Sequence, residues 1–195
     1  ILGSIYMILE GSTYSLDAMG AILCVTLESL SSFILRNNKD KILPIKNKNN
    51  WDALKFQLLK QLNEDYLKNE NGVEIMARKI KNLNSPTNAD KLTKPFELLG
   101  INLSKEDTNI IQKRNHFLHG VFVKIEEIDI QNNPSLAKLI KTCLRLNLLS
   151  SILILKLCDY NGWVPTYAHI YEDKKNLTLN ALFRFIGNQE KSTSE

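Results

Sequence analysis

Arg114, Asn115, His116 and His119 lie close together in the stretch KRNHFLHG, residues 113–120, with Lys113 just before them and Gly120 just after. The group offers a cation rich in hydrogen-bond donors, an amide, and imidazoles that titrate near neutral pH. Such a set suits a phosphodiester, because a guanidinium pairs its N–H groups with phosphate oxygens and an imidazole can move a proton. It holds no carboxylate pair, no Cys/His nucleophile arrangement and no metal-ligand spacing, so neither a metal nor another cofactor is expected.

If the chain from Ser104 onward is helical, each residue advances by about 100°. With Arg114 at zero, Ile110, Ile111, Phe117, Leu118 and Val121 fall within roughly 60° on either side, which puts the arginine at the centre of an apolar stripe. Asn115 lies near ~100° and His119 near ~140°, one turn apart on adjoining surface, while His116 points further away at about 200°. Burying an unpaired guanidinium is costly. Arg114 therefore either pairs with an acid, for which Glu97, Glu10 and Glu28 are candidates, or opens onto a cleft or a subunit interface. His119 is either a proton-transfer group or a structural cation beside the carbonyls of a helix end, and His116 reads as its solvated neighbour. His169, isolated in PTYAHIY, reads as structural, and EDKK at 172–175 as a solvated turn.

The elements that must position these residues read as helices. Leu16, Met19, Leu23, Leu27, Leu30 and Ile34 recur at helical spacing and predict a long first helix from Ser15 to about Leu35. A Lys/Asn-rich break follows, and Asn50 is the expected cap of a second helix with Trp51, Leu54, Leu58, Leu62 and Tyr66 on its apolar side. A shorter helix is expected around Val73 to Leu83, then a loop at NSPTNAD and a helical turn begun at Pro95 and closed by Gly100. Ser104 and Asp107 approximate a capping box for the helix that carries Arg114, which is expected to end near Gly120. VFVKIEEIDI reads as a short strand or an extended connector. Asn133 and Pro134 then open a helix to Cys158 whose second half is apolar nearly all round, as suits a central or interface helix. NLTLNALFRFIG reads as a short final helix.

At 195 residues, the chain suits one domain with a real core. Apolar residues at 44% and charged residues at 24% exclude a disordered chain, and a net charge of +4 tolerates a polyanionic partner without demanding one. The longest apolar run, Leu148 to Cys158, falls short of the roughly 20 residues that cross a bilayer, so no membrane association is expected. The opening ILGSIYMILEGSTY has no initiator Met and no signal-peptide pattern, and reads as lead-in from a longer protein. Cys24, Cys143 and Cys158 lie within helical patterns and read as reduced core thiols, which points to the cytoplasm. No repeat, glycine-rich phosphate loop or strand–helix alternation occurs. The expected architecture is all-α, an antiparallel four-helix bundle with short extra helices. It comprises a lead-in over 1–14, one helical domain over 15–186 and a disordered tail over 187–195.

RNHFLH matches the R-N-x-x-x-H form of the signature of the HEPN superfamily of α-helical domains. The run DKLTKPFELLGINLSKEDTNIIQKRNHFLHG, residues 90–120, resembles the HEPN domain of ApeA-type anti-phage proteins, with the wider likeness extending from about Ser15 to Trp163. The resemblance implies metal-independent RNA cleavage at a cleft between two HEPN domains, each giving one motif, and hence a homodimer with a composite site. Carried over by position, Arg114 binds the scissile phosphate and stabilises its developing charge, His119 acts as general acid or base, and Asn115 orients the histidine or the phosphate. Lys113 and His116 are the expected substrate-binding neighbours. Attack by the 2′-hydroxyl leaves a 2′,3′-cyclic phosphate and a 5′-hydroxyl, which excludes DNA. The resemblance also brings in anti-phage or toxin-type defence, with a regulatory N-terminal domain or an antitoxin as a further partner. The alternative is a catalytically inactive HEPN module for nucleotide binding or dimerisation.

Overall fold

A computed structural model describes residues 1–11, 13–63, 72–114, 134–167 and 182–187. Its elements, in chain order, are α1 (Leu2–Gly11), α2 (Leu16–Leu35), a 3-10 turn (Lys39–Ile42), α3 (Lys48–Asn63), α4 (Val73–Asn82), α5 (Asn88–Leu98), α6 (Lys105–Lys113), α7 (Pro134–Leu157), β1 (Gly162–Pro165) and β2 (Phe183–Ile186). The chain is mostly helical, with one small sheet among the described residues, in keeping with the all-α class.

The core is built on two long helices. Leu23, Leu27, Leu30 and Ile34 bring one side of α2 inward, and Leu139, Cys143, Leu146, Leu149, Ile152 and Leu153 do the same for α7. The two helices pack along each other. Around them α5 contributes Leu92 and Phe96, α6 contributes Ile110 and Ile111, and the strand pair contributes Val164 and Ile186. The apolar second half of α7 places Leu149, Ile152 and Leu153 in this core, while Ile154, Leu155 and Leu157 beside them are partly buried. Leu149 is fully buried there. Leu149→Ala is expected to lower stability by about 2–5 kcal/mol, from the forfeited transfer energy plus the cavity left behind. Urea unfolding of the variant checks this.

By length and composition α2, over Ala18–Leu35, is apolar enough to cross a membrane, although Thr26, Glu28, Ser31 and Ser32 punctuate it and keep it from forming one uninterrupted apolar run. Half of that window is buried inside this fold.

Several boundaries differ from expectation for local reasons. Residues 2–11, read as lead-in, form α1, which packs on α2. The cap of α3 is Asn47 rather than Asn50: its Oδ1 accepts from the backbone N–H of Asn49 and Asn50 at 3.0 and 3.2 Å. The stretch expected to be a turn from Pro95 is the end of a full helix, α5, with a capping box between Thr87 and Asp90. Pro95 lies inside that helix. Gly100 closes it as expected, at φ 71°, with its N–H on the Glu97 carbonyl at 3.0 Å and the Ile101 N–H on the Phe96 carbonyl at 2.8 Å. These two bonds form a Schellman cap, whose left-handed position glycine fills without strain.

The expected final helix is instead partly a strand. Phe183–Ile186 pairs antiparallel with Gly162–Pro165, Trp163 facing Phe185 with ring centroids 5.4 Å apart, edge to face. Strand pairing across such a sequence separation overrides the local helical reading. The expected connector at 121–130, the Asn133 cap, His169, the EDKK turn and the tail beyond Gly187 lie outside the described residues.

Candidate phosphate-binding site at the end of helix α6

The local sequence determines how α6 starts. The Ser104 hydroxyl accepts the Asp107 N–H at 3.1 Å and the Asp107 carboxylate accepts the Ser104 N–H at 2.8 Å, the capping box expected from the sequence. The structure adds a second function for this aspartate. Asp107 is fully buried, with Arg145 of α7 donating to Oδ1 at 2.8 Å and Arg184 of β2 donating to Oδ2 at 2.9 Å. Arg184 also donates to the Asn102 carbonyl, and Glu106 next door takes Lys141 at 2.8 Å and Arg145 at 3.1 Å. Burial alone raises the Asp107 pKa. The Arg145 and Ser104 hydrogen bonds and the two guanidinium charges outweigh it and hold the carboxyl below the usual carboxylate range. The start of α6 is therefore clamped to α7 and to the strand pair.

Nine residues after its first residue, the helix delivers Arg114 at its C-cap. Ile110 and Ile111 are buried beside it and Arg114 itself is only 8% exposed, so the inward position inferred from the helical wheel holds. Of the three acids considered as partners, Glu28 is the one found: Arg114 Nε donates to Glu28 Oε1 at 2.8 Å. Glu97 pairs with Lys94 and Glu10 accepts from Tyr6. One turn before Glu28 on α2, the Cys24 thiol lies 3.9 Å from the Arg114 carbonyl oxygen, at the weak end of an S–H···O contact. The same side of α2 thus holds the arginine side chain through Glu28 and lies against its backbone carbonyl at Cys24.

The contact through Nε is a side-on one. The two terminal nitrogens of Arg114 have no partner among the described residues, and the Glu28 side chain is 41% exposed, so the pair opens toward solvent at its acidic end. A guanidinium held in this way keeps its fork of N–H groups for another anion.

Of the other expected site residues, Lys113 ends α6 but its side chain lies outside the described part of the chain, as do Asn115, His116 and His119 altogether. Among the described residues no group of histidine, cysteine, aspartate and glutamate could hold a metal ion. A groove of about 560 Å³ lies between Gly100–Asn102 and Arg184–Gly187, and Arg114 does not line it.

Sequence reasoning missed Arg145 and Arg184. The signal for Arg145 was present: an arginine interrupting the apolar run of α7 needs an acidic partner on a neighbouring element.

The thiols correct one expectation. Cys24 and Cys143 are buried, but Cys158, expected in the core, is exposed just beyond the end of α7. Burial first, then the Glu28 charge, push the Cys24 thiol up to about 12, with Arg114 opposing. Of the three cysteines, only Cys158 is expected to react with a thiol reagent in the folded protein, the others following on unfolding. Fast labelling of all three in the native state would contradict the packing around Arg114.

No protein-family model, curated protein or solved structure matches the chain.

Proposed function

We propose that this chain is a HEPN-type four-helix domain that binds RNA through Arg114 and cleaves it without a metal, in anti-phage or toxin-type defence in the cytoplasm. The observation that carries this reading is the state of Arg114: nearly buried, held from one side through Nε, with its terminal nitrogens unpartnered among the described residues. The sequence supplies the rest, an asparagine after the arginine and a histidine five positions on.

In this reading Arg114 binds the non-bridging oxygens of the scissile phosphate and stabilises the charge that accumulates there. The 2′-oxygen attacks phosphorus in line and the P–O5′ bond breaks. His119 takes the 2′-hydroxyl proton or gives one to the departing 5′-oxygen, and Asn115 orients the histidine or the phosphate. Lys113 and His116 contact the flanking backbone. A second copy of the chain brings the opposing motif, because one motif offers few donors for both binding and proton transfer. A regulatory N-terminal domain or an antitoxin is the partner that restrains it.

A second reading rests on the Arg114–Glu28 pair itself. An arginine neutralised by an internal acid is what a non-catalytic HEPN module for nucleotide binding or dimerisation would hold.

Incubating the purified protein with total RNA in EDTA tests the proposal. The expected products carry 2′,3′-cyclic phosphate and 5′-hydroxyl ends, and light scattering at micromolar concentration is expected to give a dimer. Cleavage that stops in EDTA, products with 5′-phosphates, or a monomer that still cleaves would contradict it, and intact RNA would favour the module.

A further inference from the structure

We infer that Glu28 is a positioning residue for Arg114, which aims the terminal guanidinium nitrogens at a phosphate and at the same time weakens the hold on that phosphate. This rests on the reading of Arg114 as a phosphate ligand and adds a role on a different helix, far from the motif in sequence.

The geometry carries it in three steps. First, the contact uses Nε alone, at 2.8 Å to one carboxylate oxygen. A carboxylate that served only to neutralise the arginine would gain most by taking two parallel N–H bonds across the fork. Second, the burial is uneven: the guanidinium is inside and the acid is half out. Water can satisfy the carboxylate when a phosphate approaches, so Glu28 need not leave. Third, α2 meets Arg114 twice within one turn, Glu28 at Nε and Cys24 near the backbone carbonyl. α2 is itself anchored along α7 through the centre of the core, so Glu28 is presented to Arg114 from a packed helix. Donors fixed before the substrate arrives need no reorganisation as charge develops, which is where such groups accelerate a reaction.

The carboxylate has a second consequence. A phosphate on the terminal nitrogens lies close to a like charge on Glu28, and the repulsion between them, although water reaches the half-exposed carboxylate, opposes binding. Glu28 thereby gives up affinity while it supplies orientation. Replacement by glutamine separates these effects, since its side-chain oxygen still accepts from Nε and its charge is gone.

Single-turnover cleavage and RNA-binding titrations of Glu28→Gln, Glu28→Ala and Arg114→Ala beside wild type test this. Glu28→Gln is expected to bind RNA about threefold to tenfold more tightly and to keep the cleavage rate at saturating protein within about threefold of wild type. Glu28→Ala, which removes the charge and also leaves Nε without its acceptor, is expected to drop at least about tenfold in that rate while binding RNA no more weakly than wild type. Wild-type rate in Glu28→Ala, with Arg114→Ala inactive, overturns the positioning role and leaves the nuclease reading standing. Unchanged RNA affinity in Glu28→Gln overturns it also, and that measurement does not depend on Glu28→Ala folding. Wild-type cleavage by Arg114→Ala overturns the nuclease reading, and this inference with it.

Discussion

His119→Ala is expected to slow RNA cleavage by about 10²–10⁴-fold while RNA affinity largely persists, because a proton-transfer group is removed and the phosphate ligand stays. Arg114→Ala is expected to be as slow and to bind more weakly as well. The difference follows from where each group acts: the arginine is engaged in both the ground state and the transition state, the histidine mainly when protons move. Single-turnover rates and equilibrium binding, measured on the same preparations, separate the two. If His119→Ala reduced affinity and rate in equal measure, the imidazole would be a binding group and the assigned chemistry would fail.

The second large effect concerns stability rather than activity. Asp107→Asn is expected to destabilise the fold by about 3–5 kcal/mol, since Asp107 is fully buried between Arg145 and Arg184 and its charge balances theirs. The pH dependence has a definite sign. The folded carboxyl titrates below its ordinary range, so its contribution is complete above the unfolded value of about 3.9 and disappears as pH falls through the lower folded value. Urea unfolding of wild type and variant should therefore differ by a constant amount from neutral pH down to about pH 4, with the gap closing only below that. Equal stability at pH 7, or a gap that persists in strong acid, would contradict the clamp at the start of α6.

Much of the helical framework was legible because its causes are local. Leucines at three- and four-residue spacing mark α2, the Ser104–Asp107 pair marks the start of α6, and Gly100 marks the end of α5. What was not legible depends on distant partners. Phe183–Ile186 carries no turn or strand signal that separates it from the leucine-rich NLTLNAL before it, and pairing with Gly162–Pro165 makes it a strand. Pro95 suggested a helix start because proline is common there, whereas the capping box at Thr87 begins the helix earlier and the proline is accommodated within it.

The site shows the same division. Periodicity placed Arg114 inward and narrowed its partner to three acids, but the choice of Glu28 depends on how α2 lies against the end of α6. Asp107 could be read as a cap, yet its two arginines come from α7 and β2, which no local pattern joins to α6.

The central claim is that Arg114 is held for a phosphate and not only for the fold. A salt-dependent RNA-binding titration of Arg114→Ala, paired with its thermal melt, tests this most directly. The account predicts clearly weaker RNA binding and a salt dependence shallower by roughly 0.7 for each phosphate that the variant leaves without a cation. It predicts a modest destabilisation of about 1–3 kcal/mol, because the half-exposed Glu28 can hydrate once its partner is gone. RNA affinity and salt slope equal to wild type, together with a destabilisation of about 3–5 kcal/mol, would show the arginine to be structural and would contradict the account.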